Sequence, residues 1–233
     1  MNNSISKPVL IFILVIGFIA SYAQENKYMA GIRYGYSLPM GQFASHEYDY
    51  GAYAMLGKSF SAEGARYFNN GFGVGTALSI SFYPIAAGYY VQDLDSNDVF
   101  AGSFKMKSSP YEVRTYMAGV YYRLPVAEKF QASFKALGGL CRSKSPDQFY
   151  SAEYFMVGTL TWFKTSSLSS RVSFLVGAAI EYKIFDHVEL LLESEFSYTE
   201  SKYIFLVNGG TSKETQSMKM PLFKIQPGLN ITF

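Results

Sequence analysis

The stretch Pro221-Leu-Phe-Lys-Ile-Gln-Pro-Gly-Leu-Asn-Ile-Thr-Phe233 alternates between two kinds of side chain. Phe223, Ile225, Leu229, Ile231 and Phe233 fall on one side of an extended chain, and Lys224, Gln226, Gly228, Asn230 and Thr232 on the other. Side chains of a strand point alternately to its two faces, so this strand has one greasy face and one polar face. A closing strand of a soluble sandwich has the same pattern, so the rest of the chain must decide what covers the greasy face.

The pattern recurs upstream. Tyr28, Ala30, Ile32, Tyr34 and Tyr36 alternate with Met29, Gly31, Arg33 and Gly35. A second strand is expected near Tyr50 to Phe60, with its outer face unresolved. In a third, Phe72, Val74, Thr76, Leu78, Ile80 and Phe82 oppose Gly71, Gly73, Gly75, Ala77, Ser79 and Ser81. A fourth runs from Tyr111 to Leu124 and turns through Pro125–Lys129 into a fifth, which sets Phe130, Ala132, Phe134, Ala136 and Leu140 against Gln131, Ser133 and Lys135. A sixth presents Val172, Phe174, Val176, Ala178, Ile180 and Tyr182, with Arg171, Ser173, Gly177, Glu181 and Lys183 behind. It turns at Phe185–His187 into a seventh, where Val188, Leu190, Leu192, Phe196 and Tyr198 oppose Glu189, Glu193 and Glu195. The C-terminal stretch is the eighth. Connections after strands four and six are short. Those over Pro84–Pro110, Arg142–Ser169 and Glu200–Ser217 are long and polar, and Ser61–Asn70 fits this rhythm least well.

The composition agrees with lipid as the covering. Of 233 residues, 49% are hydrophobic and only 16% charged, with 20 Tyr, 20 Phe and 20 Gly. Soluble domains carry about 25% charged residues. Aromatic residues collect where a barrel wall meets the membrane surface, and small residues suit a narrow interior. The N-terminus has Lys7, an apolar run from Val9 to Ala20 and small residues up to Ala23, the order of a secretory signal peptide. A run of about twelve residues falls short of the roughly twenty a spanning helix needs. The expected division is a signal peptide over 1–23 and a barrel domain over 24–233. A net charge of +2 gives no reason to propose a nucleic-acid partner, and the single Cys141 builds neither a disulfide framework nor a CxxC metal site.

This reading resembles the small Gram-negative outer-membrane β-barrels, of the OmpA-type membrane domain and PorT-like kind. The resemblance rests on the alternating strands, the short and long connections, and the aromatic C-terminus. It implies an all-β, closed, antiparallel up-and-down transmembrane barrel of eight strands, with ten as the alternative because 154–163 is apolar enough to add a hairpin. It also implies Phe233 as part of the assembly signal, outer-membrane lipid and the barrel-assembly machinery as partners, and an envelope protein as a further one. Arg33, Lys135, Arg171, Glu181, Lys183, Glu189, Glu193, Glu195 and Lys224 fall on inward positions. Charges in a confined interior must pair or keep water, so a charge-paired lumen is expected, with a small pore or PorT-like secretion accessory as the alternative function.

Other motifs carry less. Asp93-Leu-Asp95-Ser-Asn97-Asp98 opens like a calcium loop but lacks the glycine at position six and the closing glutamate. Gly71-Phe-Gly-Val-Gly75 has the wrong spacing for a nucleotide fingerprint. A lipid-modifying enzyme needs a converging Ser, His and acid, and of the two histidines only His46 lies on an outer loop, beside Ser45 and Glu47. No catalytic, cofactor-binding or metal-binding residue is assigned.

Overall fold

Strands whose large apolar side chains all share one side cannot bury them against each other without a second layer, and this chain makes none under its wall. In the computed structural model, which describes residues 28–48, 50–97, 101–154, 157–207 and 212–233, the sheet closes on itself. The expected signal peptide over 1–23 lies outside these residues. The wall is built from β1 (Tyr28–Pro39), β2 (Gly57–Tyr67), β3 (Phe72–Tyr83), β5 (Tyr111–Pro125), β6 (Phe130–Lys144), β9 (Leu168–Phe185), β10 (Val188–Val207) and β11 (Ser212–Thr232). Their order is β1-β11-β10-β9-β6-β5-β3-β2, eight antiparallel neighbours in a ring. The outer loops carry α1 (Gly41–Ala44) and α2 (Ala87–Asn97). They also carry a separate sheet ordered β4-β7-β8 from β4 (Ala101–Ser108), β7 (Gln148–Tyr154) and β8 (Gly158–Lys164).

Closure is made by the first and last strands. Tyr28 and Phe233 exchange main-chain hydrogen bonds of 2.8 and 3.0 Å, and their rings stack at 6.0 Å. From there β1 and β11 pair up to Pro39↔Leu222. The alternation of the sequence becomes a difference of environment. Ile32 and Tyr34 are 54% and 56% exposed, while Arg33 between them is 3% exposed. On β11, Ile225, Leu229 and Ile231 are exposed, and Lys224, Gln226, Asn230 and Thr232 are buried. Such a wall, with an apolar exterior and a polar interior, is stable only where lipid covers it, and ring closure leaves neither the first nor the last strand with an open edge in that lipid. The chain is an outer-membrane β-barrel.

Two expectations are corrected here. The second strand is Gly57–Tyr67, not Tyr50–Phe60, and its connection to β3 is the short turn 68–71. Residues 50–56 fold back over the mouth instead: Tyr53 and Ala54 donate their N–H groups to Ser45 and Phe43, and Met55 donates to Pro84. The last outer connection is also shorter than Glu200–Ser217, because β10 and β11 stay paired out to Val207↔Ser212. Within the apolar segment 154–163, residues 158–163 form part of β8, paired with β7 in the separate outer sheet, so the wall keeps eight strands.

So narrow a ring requires glycine where neighbouring strands approach closely. A Cβ on Gly35 would lie 2.2 Å from Ile225 O and 2.8 Å from Gln226 Cα, both backbone atoms that cannot swing away. A Cβ on Gly138 would meet only open space. Gly35→Ala should therefore lower barrel stability by about 1–3 kcal/mol, the usual range for overpacking. Gly138→Ala should be close to neutral. Denaturant unfolding in detergent micelles, followed by the heat-modifiable gel shift, compares the two.

Candidate functional site

Among the described residues, the charges held away from solvent lie in the lumen. β2 places Glu63 inward, β10 places Glu193 and Glu195, β6 places Lys135, and all four are buried. A lysine ammonium has three donors, and Lys135 Nζ meets three carboxylates: Glu63 Oε1, Glu193 Oε1 at 2.6 Å and Glu195 Oε1 at 2.5 Å. Arg33 reaches the same group from β1, with Nη2 3.2 Å from Glu63 Oε2 and Nε 2.5 Å from Glu193 Oε2. That second approach lies off the N–H axis and is an ion contact rather than an aligned hydrogen bond. Lys224 from β11 closes the cluster on the outer side, 3.4 Å from Glu195 Oε2, and donates to Ser79 Oγ at 3.0 Å.

A second cluster lies toward the periplasmic turns. Arg123 Nη2 is 3.0 Å from both Glu181 Oε2 and Glu189 Oε2, and its guanidinium lies over the Tyr67 ring at 4.5 Å. Glu181 also accepts from Ser133 Oγ at 2.8 Å and Asn230 Nδ2 at 3.2 Å. Among the described residues, five carboxylates thus face four cations in the bore. Beyond the charges the interior turns apolar. Phe43, carried inward by α1 and fully buried, sets its ring edge-on against Tyr83 at 5.2 Å and Tyr111 at 5.0 Å. Tyr203, Met218 and Met220 fill the same layer.

Of the charged residues expected in the lumen, the structure brings together Arg33, Lys135, Glu181, Glu189, Glu193, Glu195 and Lys224. Two others stand apart from these clusters. Lys183, half-buried and in register with Glu189, pairs with the exposed Asp186 of the following turn at 3.5 Å. Arg171 is exposed and forms no ion pair with a described residue, because the β9–β10 ladder stops at Ser173↔Thr199 and leaves the wall open at its level. Glu63 and Arg123 were missed. Glu63 lay in a segment read as a connection. Arg123 carried a usable signal, since it shares the inward parity of Tyr121 opposite Tyr122 and Leu124.

Metal and catalytic readings meet their geometry here. Single oxygens of Glu63, Glu193 and Glu195 lie within 4.8 Å of one another, a spacing that suits a cation. Lys135 Nζ stands among them, so the cluster supplies its own cation. The acidic run at Asp93 is not a loop but part of α2. There Asp93 accepts from Tyr53 Oη and Asp95 accepts from Phe104 N at 3.0 Å, while Asp98 lies outside the described residues. His46 stacks between Tyr53 at 5.5 Å and Tyr89 at 4.8 Å. His187 lies at the other end of the barrel, with Nδ1 3.1 Å from Thr232 O. Cys141 is buried in the apolar layer.

No family model and no curated protein matches the sequence. Among solved structures, the chain is similar to Neisserial surface protein A, at 11% identity over 88% of this chain and 97% of that one, with a TM-score of 0.46. It is similar to Ail of Yersinia pestis at 14% identity over 89% and 100%, TM-score 0.45. A major outer membrane protein of Thermus thermophilus matches at 12% identity over 88% and 99%, TM-score 0.47.

Removing one partner of a buried ion cluster leaves uncompensated charge, which costs about 3–5 kcal/mol. Lys135→Met takes the shared cation from three carboxylates at once, leaving them only Arg33 and Lys224, and should destabilise the barrel by about that much. Lys183→Met, which breaks an exposed pair, should cost no more than about 1 kcal/mol. Unfolding midpoints of the two variants in the same detergent test the assignment of Lys135 as the centre of the cluster.

Proposed function

We propose that the protein is a non-enzymatic scaffold: a sealed outer-membrane barrel that holds an extracellular sheet for an envelope or external protein partner. The observation that carries the sealed reading is how little space is left around the central ion cluster. The cavity bounded by Arg33, Glu63, Tyr67, Tyr121, Lys135 and Glu193 is about 10 Å³, barely the space of one water. Phe43 and its tyrosine neighbours close the level above. The non-enzymatic reading is in keeping with the histidine positions: His46 stacks between Tyr53 and Tyr89, and His187 lies at the other end of the barrel. Insertion through the barrel-assembly machinery belongs to the same proposal.

The outer sheet is built as a presented element. One face packs inward: Tyr150 and Ala152 are buried, and Trp162 stacks on Tyr150 at 5.3 Å with Phe104 edge-on at 6.1 Å. The other face carries the cross-strand pair Phe149↔Phe163, both exposed. Beneath it, loops one and two are tied by Tyr53, whose φ of 54° is unusual for a bulky residue. Tyr53 is buried and donates to Asp93.

Asp147 fastens the sheet to the rim. Its Oδ1 accepts from Ser166 N at 2.8 Å, its Oδ2 lies 3.3 Å from Lys144 Nζ, and its own N–H donates to Ser109 Oγ at 2.8 Å. The Ser166 backbone N–H, helped by Lys144, holds the Asp147 carboxyl below its ordinary value. A depressed folded-state value means the anchor is fully present above the ordinary carboxylate range and is lost as pH falls through the lower, folded value. Hydrogen-exchange protection over β7 and β8, after correction for the intrinsic pH dependence of amide exchange, should therefore be constant from neutral pH down to about pH 4 and fall only below it. Asp147→Asn should show the faster exchange at neutral pH.

The lumen gives a second test. Glu189→Gln/Glu193→Gln keeps side-chain volume and removes attraction. A sealed bore requires that the parent pass no steady current in planar bilayers, that the double variant stay closed, and that its unfolding midpoint fall. Steady parental conductance with cation preference lost in the variant would instead establish a pore.

A further inference from the structure

Between β9 and β10 the wall is not continuous. The two strands pair from the turn at Phe185↔Val188 as far as Ser173↔Thr199. Beyond that level β9 runs on to Leu168 against β6 alone, with Arg171↔Cys141 and Leu168↔Lys144, while β10 runs on to Val207 against β11 alone. An open ladder in lipid would leave main-chain groups unsatisfied. Hydroxyl groups meet that need here. Lys202 N donates to Ser169 Oγ at 2.8 Å and Ile204 N to Ser167 Oγ at 2.9 Å, while Thr199 Oγ1 donates to Val172 O at 3.1 Å. A side chain between two backbones holds them further apart than a direct ladder bond does, so the seam is kept open.

The opening is a groove of about 610 Å³ in the outer half of the barrel. Its chemistry is split. Val172 is 78% exposed and Phe174 50%, an apolar floor continuous with the lipid-facing band. Arg171 and Lys202 stand beside them, both exposed and neither in an ion pair with a described residue. Arg142, one strand over and in register with Ser170, and Lys219, in register with Glu200, are exposed as well. Four adjacent strands thus bring four cations to one patch, where Glu200 is the one carboxylate at that level among the described residues. Cations on a lipid-facing wall are costly unless they reach the interface and meet opposite charge there.

We propose that this seam is a docking groove for an anionic outer-leaflet lipid, its phosphate held by Arg171 and Lys202 and an acyl chain lying on Val172 and Phe174. A guanidinium and an ammonium together match a phosphate monoester, one by a planar fork and the other as a point charge. The apolar floor favours a phosphate borne by a lipid over one free in solution.

Native mass spectrometry of the full chain in detergent, titrated with dioleoyl phosphatidic acid or dioleoyl phosphatidylcholine, tests this. The parent should retain one phosphatidic acid beyond the phosphatidylcholine level. Arg171→Gln/Lys202→Gln should weaken that binding about tenfold or more, as expected for two charge-assisted contacts, and Arg171→Lys/Lys202→Arg should restore most of it. Arg66→Gln, at the periplasmic end of β2, should leave it unchanged, and inorganic phosphate should not compete. The heat-modifiable gel shift confirms that each variant is folded before it is measured. Equal retention by the parent and the double glutamine variant overturns the proposal. So does an equal loss in Arg66→Gln, which would show mere bulk charge, or displacement by inorganic phosphate, which would show an anion site without a lipid.

Discussion

Lipid offers no hydrogen bonds, and most of this structure follows from that constraint. Every strand in contact with it must satisfy its backbone on both sides, by a neighbouring strand or by a side chain, so the last strand returns to the first. The Tyr28–Phe233 main-chain pair is where that happens. Closing with only eight strands then dictates the inside, because the bore of such a ring is just wide enough for its own side chains. Glycines at 35, 75, 119 and 139 let strands approach where any Cβ would strike a neighbouring backbone atom. The long Arg, Lys and Glu side chains fill what remains by reaching across, which is why Lys135 on β6 meets Glu63 on β2 and Glu195 on β10.

The parts of this plan that are local were legible in the sequence. Period-two alternation placed seven of the eight wall strands close to where they lie, and it put Lys135, Glu193 and Lys224 on the inner face. The failures share a cause. Tyr50–Leu56 alternates large and small residues as a strand does, yet it belongs to the cap, held by Ser45, Phe43 and Pro84. Nothing within the segment distinguishes the two states, and the error carried Glu63 out of the lumen. Arg171 shares the parity of an inward residue, but parity says nothing about whether the neighbouring strand is still there. Residues such as Arg33 and Asn230, in contact across 197 positions, meet only through the register of closure. Asp93 read as part of a loop because its acids are spaced like ligands, and the helix that carries them is set by packing against β4 and Tyr53.

The charged bore also bears on how the chain avoids other barrels. A buried ion cluster is weak evidence of net stability, since desolvation offsets much of the attraction. Its effect on register is much larger. Sliding one strand by a single residue exchanges its two faces, and for β10 that would turn Glu189, Glu193 and Glu195 toward lipid while drawing Leu190 and Leu192 into the bore. Each charge displaced to the lipid side costs up to about 2–4 kcal/mol near the membrane centre, somewhat less for carboxylates, and its cationic partners would be left buried without acceptors. An all-apolar bore would impose no such difference between the correct register and a slipped one, because both faces of every strand would then tolerate lipid. The glutamates of β10 and the lysine of β6 therefore act as a register key. That key is read only when β2, β6, β10 and β11 are all in place, which ties the specificity of the ring to the same closure that satisfies its backbone.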